Sequence, residues 1–374
     1  MLSGFATEAG TERYRARFPH LRDASHFRRR ENVPGAGELW LSSLGLGTYL
    51  GDTDDDADRR YTEAIELALR SGVNLLDAAI NYRHQRSERN IGQALANLIS
   101  AGDLARDEVV ICTKAGYLSF DGAPPPDPRA YFQKEYVESG ILNPAEIAGG
   151  MHCMAPRYLE DQLERCRRNL GLETIDVFYV HNPESQLGEV PRETFQQRLT
   201  QAFAMLEKAV AAGKIRFYGC ATWNAFRAAP GQRDAIGLAD ALGAAREAGG
   251  ENHHFRFVQL PFNLEMPEAY AFRNQRWNGE PISALGLAES AGLAVIGSAT
   301  LHQGQLTEGL PEFIAQKLGL KSDAENAIQF ARSAPGLAAA LIGMSRKEHV
   351  AANLKVAAQP IADVEKWKSL FSNS

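Results

Sequence analysis

RLTQAFAMLEKAVAAGKIRFYGCAT, residues 198–222, contains the unit that decides the fold. Leu199, Phe203, Leu206 and Val210 recur at three- and four-residue steps, the spacing of one helix face. Gly213 then stops the helix, and a run of β-branched and aromatic residues follows. The alternation extends both ways. Candidate strands are LGLGT (44–48), NLLD (74–77), EVVICTK (108–114), IDVFYVH (175–181), IRFYGCAT (215–222), FRFVQL (255–260), LAVIGSA (293–299) and AALIGM (339–344). YTEAIELALRSG (61–72) and YLEDQLERCRRNLG (158–171) read as further helices, each closed by glycine.

Strands that alternate with helices pair in parallel and give an α/β class. Eight units in roughly 315 residues match a closed (β/α)8 TIM barrel, whereas doubly wound sheets have fewer strands. No G-x-G-x-x-G joins a first strand to its helix, so the doubly wound alternative lacks its dinucleotide fingerprint.

Composition narrows the function. The chain has 374 residues, 44% hydrophobic and 23% charged, which is globular. A net charge of −6 and a pI near 5.9 argue against nucleic-acid binding, which needs a concentrated basic face. Mean hydropathy is −0.30, and no apolar run approaches the roughly 20 residues of a membrane span. Cys112, Cys153, Cys166 and Cys220 are too few and too scattered for a disulfide scaffold and form no C-x-x-C pair, and Cys112 and Cys220, inside apolar runs, read as buried free thiols. The first residues turn polar too soon for a signal peptide, so a cytoplasmic protein is expected.

Two stretches break the alternation. Residues 1–40 are arginine-rich and form an N-terminal extension leading into the barrel, which takes up 41–374 and ends in a C-terminal helix. Residues 115–157 separate the third strand from its helix, a long insertion on the substrate side. It carries Tyr117, Phe120, Tyr131, Phe132 and Tyr136, read as a pocket wall because loops after barrel strands surround the mouth. This surplus over the about 250 residues of a bare barrel is the part expected to choose the substrate.

A barrel keeps its chemistry at the C-terminal ends of its strands. The second ends at Asp77, the third at Lys114 and the fourth at His181, each directly after an apolar run. Tyr82 follows Asp77 by five residues. One such residue is ordinarily structural; three strand ends and a tyrosine on one rim form a catalytic constellation.

LGLGTYLG (44–51), NLLDAAINY (74–82) with SE at 87–88, VVICTK (109–114), DVFYVHNPE (176–184) and LEKAVAAGKIRFYGCATWN (206–224) together resemble the aldo-keto reductase superfamily. VQLPFN (258–263) and LIGMSRKEHVAANL (341–354) fit the same pattern, so the resemblance covers about 41–356. It implies an NAD(P)H-dependent oxidoreductase acting on a small carbonyl or alcohol substrate, with a catalytic tetrad of Asp77, Tyr82, Lys114 and His181. The residue chemistry agrees. Hydride delivery to a carbonyl builds charge on oxygen, which needs a proton donor. A lysine ammonium beside Tyr82 lowers the phenol pKa, Asp77 keeps Lys114 charged, and His181 donates to the carbonyl oxygen.

The resemblance also implies a cofactor cleft. Gly47, Thr48 and Tyr49 belong to its first-strand motif, and Gln259 matches an amide-binding glutamine. Ala221 and Thr222 stand where the family has a Ser-Asn pair, so only Thr222 keeps a polar contact. Ser298 replaces a tyrosine that commonly stacks on the nicotinamide. Leu301, Gln303 and Gly304 match positions beside the pyrophosphate. Ser345, Arg346, Lys347, His349 and Asn353 match the 2′-phosphate and adenine region, with His349 where an arginine is frequent. Arg346 and Lys347 favour NADP(H) over NAD(H).

Asp52, Asp54, Asp55, Asp56 and Asp58 lack the pattern of a calcium loop and read as acids at a helix start. His253-His254 and His152-Cys153 do not make a metal site, and no metal is expected. Two other functions stay open: a Schiff-base aldolase using Lys114, and a regulatory subunit that binds cofactor with little turnover. Substrate identity, reaction direction and oligomeric state are not readable.

Overall fold

In the computed structural model, which describes residues 1–372, eight parallel strands form one closed barrel. They are β1 Leu44–Gly47, β2 Leu75–Asp77, β3 Val110–Ala115, β4 Ile175–His181, β5 Ile215–Ala221, β6 Phe255–Pro261, β7 Ala294–Ser298 and β8 Leu337–Gly343. Each pairs with its neighbours in sequence, and β8 closes onto β1 from Ala340↔Leu44 to Gly343↔Gly47. The strands coincide with the apolar runs. The fold is the expected (β/α)8 barrel.

The strands alternate helices α1 Asp55–Arg70, α2 Arg86–Ser100, α3 Pro156–Leu170, α4 Arg192–Ala211, α5 Leu238–Gly249, α6 Ala284–Ser290, α7 Asp323–Ser333 and α8 Lys347–Ala357. The acidic run does cap a helix. Asp54 Oδ1 accepts the Ala57 N–H at 2.7 Å, and Asp55, Asp56 and Asp58 fill the first turn of α1. Gly171 ends α3 in the left-handed conformation, φ 66°.

Period-two geometry sorts each strand. Leu75, Val110, Cys112, Val177, Tyr179, Phe217 and Phe257 share one buried cluster inside the barrel. Leu76, Ile111, Phe178, Val180, Tyr218 and Val258 point the other way, into the layer beneath the helices. Both faces are buried, which is why the strands read as unbroken apolar runs. Gly45 is needed inside: a Cβ there would lie 2.7 Å from Leu341 Cδ2 and 3.0 Å from Leu75 Cδ2.

Residues 1–40 seat under the barrel, at the strand starts. Val33, Ala36, Leu39 and Leu41 join the interior cluster and close that end. Phe27–Arg28 pairs antiparallel with Leu41–Ser42, and Tyr14 donates its hydroxyl to the Leu69 and Val73 carbonyls at 2.6 and 2.9 Å. This corrects the assignment of the surplus length to substrate choice. The extension lies at the end away from the mouth, because it supplies the apolar groups that plug the barrel.

The 115–157 insertion has a core of its own. Tyr136, Leu142, Cys153 and Tyr158 form a small separate core, with Tyr131 and Phe132 packed against it. Phe120 stacks on Phe132 at 4.9 Å. Four of the five aromatic residues thus pack on one another, Phe120 also meets His84 of the turn after β2 at 5.5 Å, and Tyr117 packs on His181. After α8 a short helix, Val364–Lys368, lays the buried Trp367 on Phe330.

Candidate active site

The inward register that carries Leu75, Cys112 and Tyr179 through the barrel continues to Asp77, Lys114 and His181 at its C-terminal end. Two residues further along a strand is the same face, so these side chains converge. Lys114 Nζ donates to Asp77 Oδ2 at 2.6 Å and to the Ala78 carbonyl at 2.7 Å. Its third proton is left for Tyr82, whose ring centroid lies 4.6 Å away. Asp77 Oδ1 accepts from Gln259 Nε2 at 2.7 Å, joining β2 to β6 across the barrel.

Tyr82 opens a tight turn after β2 in which Arg83, His84 and Gln85 all have positive φ. Arg83 holds that turn from beneath. Buried, it donates to Asp58 Oδ1 at 2.6 Å, Asn90 Oδ1 at 2.6 Å and the Asp52 carbonyl at 2.8 Å. The His181 ring stands between two tyrosines, edge-on to Tyr82 at 5.8 Å and to Tyr117 at 5.1 Å. Its Nδ1 is buried without a hydrogen-bond partner among the described residues.

Electrostatics sets the protonation states. Burial works against the Lys114 ammonium, but Asp77 and Tyr82 more than offset it, and its pKa rises. Burial pushes Asp77 up against the pull of Lys114 and Gln259. Burial and the Lys114 charge push His181 well down, so its ring is neutral. The expectation of a lowered Tyr82 pKa is corrected. Lys114 does pull it down, but desolvation wins, Asp77 adds to it, and the phenol stands above its ordinary value.

The residues that the resemblance implies for a cofactor lie at or after the ends of β1, β5, β6, β7 and β8. Gly47 ends β1 opposite Asp77, and Thr48 donates its hydroxyl to the Asp77 carbonyl at 2.9 Å. Tyr49 is exposed, its ring 5.0 Å from that of Tyr82. Thr222 follows β5 with its N–H on the Gln259 carbonyl, and Ser298 ends β7. Leu301 opens the turn His302–Thr307, in which Gln303 and Gly304 have positive φ. Arg346 is the N-cap residue of α8 and makes no side-chain cap bond. Ser345 and Arg346 line a cavity of about 130 Å³ with Gly51, Asp52, Arg60 and Tyr61. Lys347 is exposed, and its ammonium pairs with Glu63 of α1 at 2.8 Å. His349 and Asn353 follow on α8.

The sequence reading missed Tyr117 as a neighbour of His181, although its place three residues after Lys114 marks a loop leaving the mouth. It also missed Arg60, and here no local signal existed, since its cavity partner is the loop after β8.

A sequence model of the Aldo/keto reductase family matches residues 43–230. Among curated proteins, an NADH-specific methylglyoxal reductase of Escherichia coli is 26% identical over 196 residues, 51% of this chain and 51% of that protein. The chain spans about half the length of the curated relatives it matches. Among solved structures, an aldo/keto reductase of Klebsiella pneumoniae in complex with NADP and acetate superposes with a TM-score of 0.59. It is 21% identical, and the match covers 91% of this chain and 94% of that one. The glycerol dehydrogenase of Gluconobacter oxydans gives a TM-score of 0.62 at 21% identity, over 93% and 95%. These two likenesses concern the fold. Among the described residues no helix is long and apolar enough to cross a membrane.

Proposed function

Because the chain belongs to the aldo/keto reductase family, we propose that it reduces the carbonyl of a small aldehyde or ketone with a nicotinamide dinucleotide, or oxidises the matching alcohol. The observation that carries this reading is the buried Lys114–Asp77 pair beside Tyr82 and His181 at the mouth.

The residues present fit such a cofactor. Gln259 gives its amide nitrogen to Asp77, which leaves Oε1 as an acceptor for a carboxamide N–H. The Thr222 hydroxyl has only a long 3.5 Å contact to the Gln259 carbonyl and would serve the same group. The first amides of α8 lack a side-chain cap and suit a phosphate. Ser298, Leu301, Gln303 and Gly304 would follow the rest of the dinucleotide along the rim, with His349 and Asn353 at its adenine end. When bound, the reduced nicotinamide supplies the hydride.

This chain's own residues handle the oxygen. His181, neutral, hydrogen-bonds the carbonyl oxygen and orients it. Tyr82 gives that oxygen its hydroxyl proton as negative charge develops. Lys114 steadies the tyrosinate left behind, and Asp77 keeps Lys114 charged and in place. The raised Tyr82 pKa keeps the acid loaded, which suits reduction. An ammonium held charged by a carboxylate at 2.6 Å is a poor Schiff-base nucleophile, so the aldolase reading loses ground.

We assign the preference for NADP(H) to Arg346; Arg60 across the same cavity is paired with Asp56, and Asp52 in that lining works against a 2′-phosphate. The test of the function is Tyr82→Phe assayed over a panel of aldehydes and ketones. Turnover is expected to disappear while cofactor binding stays. Cofactor binding by the wild type without turnover on any member would replace this reading with the regulatory one.

A further inference from the structure

The insertion begins and ends at His181. Tyr117 leaves the end of β3 and forms an isolated antiparallel bridge with His152, so residues 118–151 are pinched off as a loop with a two-stranded base. That base lies on the main-chain carbonyl of His181. The β3–β4 ladder stops at Ala115↔Val180, so His181 has no opposite residue on β3. The His152 ring takes its carbonyl instead, with Nε2 at 2.7 Å. Gly116 makes room: a Cβ there would stand 2.7 Å from that oxygen and 2.8 Å from His152 Nε2.

The proton on His152 is fixed by its partners. Arg198 of α4 can only donate, and it donates to Gln186 Oε1. Gln186 therefore presents its amide nitrogen to His152, giving N–H bonds to Nδ1 at 2.8 Å and to the His152 carbonyl at 3.2 Å. With Nδ1 an acceptor, the neutral ring carries its hydrogen on Nε2 and donates it to His181. Burial lowers His152 to about 4, so this donor does not titrate between pH 5 and 8. Tyr117 completes the clamp. Its ring is edge-on to His152 at 5.2 Å and to His181 at 5.1 Å, and its hydroxyl meets Asn182 Nδ2 at 3.0 Å and Ser185 Oγ at 3.1 Å.

We propose that His152 is a positioning residue for carbonyl reduction: through the main-chain carbonyl of His181 it fixes the imidazole that orients the reacting oxygen. This rests on the function proposed above. His152 is fully buried, and acts by holding the end of β4 where the chain turns into left-handed Asn182, φ 43°.

The test compares wild type, His152→Ala, His152→Gln and Gly116→Ala on an aldehyde that the wild type reduces. His152→Ala removes the donor, and a misplaced orienting group costs about ten- to a hundredfold in kcat. The Kd for cofactor is expected within about twofold of wild type, because its residues lie elsewhere on the rim. His152→Gln restores an N–H and is expected to recover most of the loss. Gly116→Ala keeps the histidine but forces the pair apart, and should reproduce His152→Ala. A kcat for His152→Ala within about twofold of wild type overturns the proposal, as does an equal loss in the Gln variant. Nitrogen-15 spectra of histidine-labelled wild type give a readout independent of turnover and of variant folding. The proposal requires the His152 proton on Nε2, and a proton on Nδ1 overturns it. If the wild type reduces no carbonyl, the functional reading fails, while the spectra still decide the geometry of the clamp.

Discussion

The two halves of the barrel treat the family pattern differently. From β1 to β4 the residues that face the mouth follow it without substitution: Asp77, Tyr82, Lys114 and His181. From β5 to β8 the resemblance thins: it implies a serine at Ala221, a tyrosine at Ser298 and an arginine at His349. The family match ends at residue 230, just past β5, while the structural likenesses run over more than nine-tenths of the chain. The barrel therefore continues where the sequence signal fades. The reason lies in what each half holds. On the function proposed, the first half holds the proton-transfer site, which needs given atoms at given distances, as in the placing of Lys114 between Asp77 and Tyr82. A dinucleotide is long and is gripped in part by main-chain amides and turns, which many side chains permit.

The sharpest way to break this contrast is Tyr82→Phe. It removes one oxygen from the first half, and kcat should fall by about 10²–10⁴ with the cofactor Kd unchanged. Retention of more than about a tenth of wild-type kcat would remove Tyr82 as proton donor. The pH profile refines the point. A raised phenol pKa keeps Tyr82 protonated to higher pH, and a lowered His181 pKa keeps the imidazole neutral to lower pH. Reduction at saturating cofactor should therefore show a flat kcat from about pH 5 to 9. A limb between pH 6 and 8 would mean that another group carries the proton.

The halves should differ in stability too. Asp77→Ala strands a buried ammonium and frees the Gln259 amide, and a broken buried pair costs about 3–5 kcal/mol. Arg346→Ala, on the surface of the cofactor half, should stay within about 0.5 kcal/mol. Urea denaturation of the two variants reads this directly. Equal midpoints would show that the Lys114–Asp77 pair holds no special place in the fold.

How much of this the sequence displayed depends on how local the cause is. Parallel strands buried on both faces read as apolar runs, so all eight were visible, and the period of two carried Asp77, Lys114 and His181 to one rim. Glycine stops marked helix ends for the same local reason. The seat of residues 1–40 was invisible because Val33 and Leu39 pack against strands far along the chain. The pairing of Lys347 with Glu63, nearly 300 residues earlier, was equally out of reach. The sign of the Tyr82 shift could not be read either, because desolvation belongs to the assembled site. His152 sat beside Cys153 in what looked like a weak metal pair, and its partner is a main-chain oxygen that no motif records.

A smaller effect probes the cofactor half itself. Arg346→Ala should weaken NADPH by about five- to tenfold and leave NADH unchanged, since an exposed guanidinium is partly screened by solvent. Titration of both cofactors measures it. A loss shared by the two would move the role of Arg346 from the 2′-phosphate to the pyrophosphate, and NADP(H) would lose its support.

The smallest expected change is a gain. Ala221 ends β5 between His181 and Gln259 in the barrel register, and it is buried. Ala221→Ser places a hydroxyl where the resemblance implies a serine. A neutral hydrogen bond contributes about 0.5–1.5 kcal/mol, so both cofactors should bind about two- to fivefold tighter, with no preference between them. The cofactor-free protein should be slightly less stable than wild type, because a buried hydroxyl without a partner carries a desolvation cost. Adding cofactor should then raise its Tm by more than it raises the wild type's, as mass action requires of a tighter ligand. Unchanged affinity would mean that Ala221 does not face the carboxamide. The second half would then bind its cofactor in a different register from the one proposed, and its missing contacts would have been relocated rather than lost.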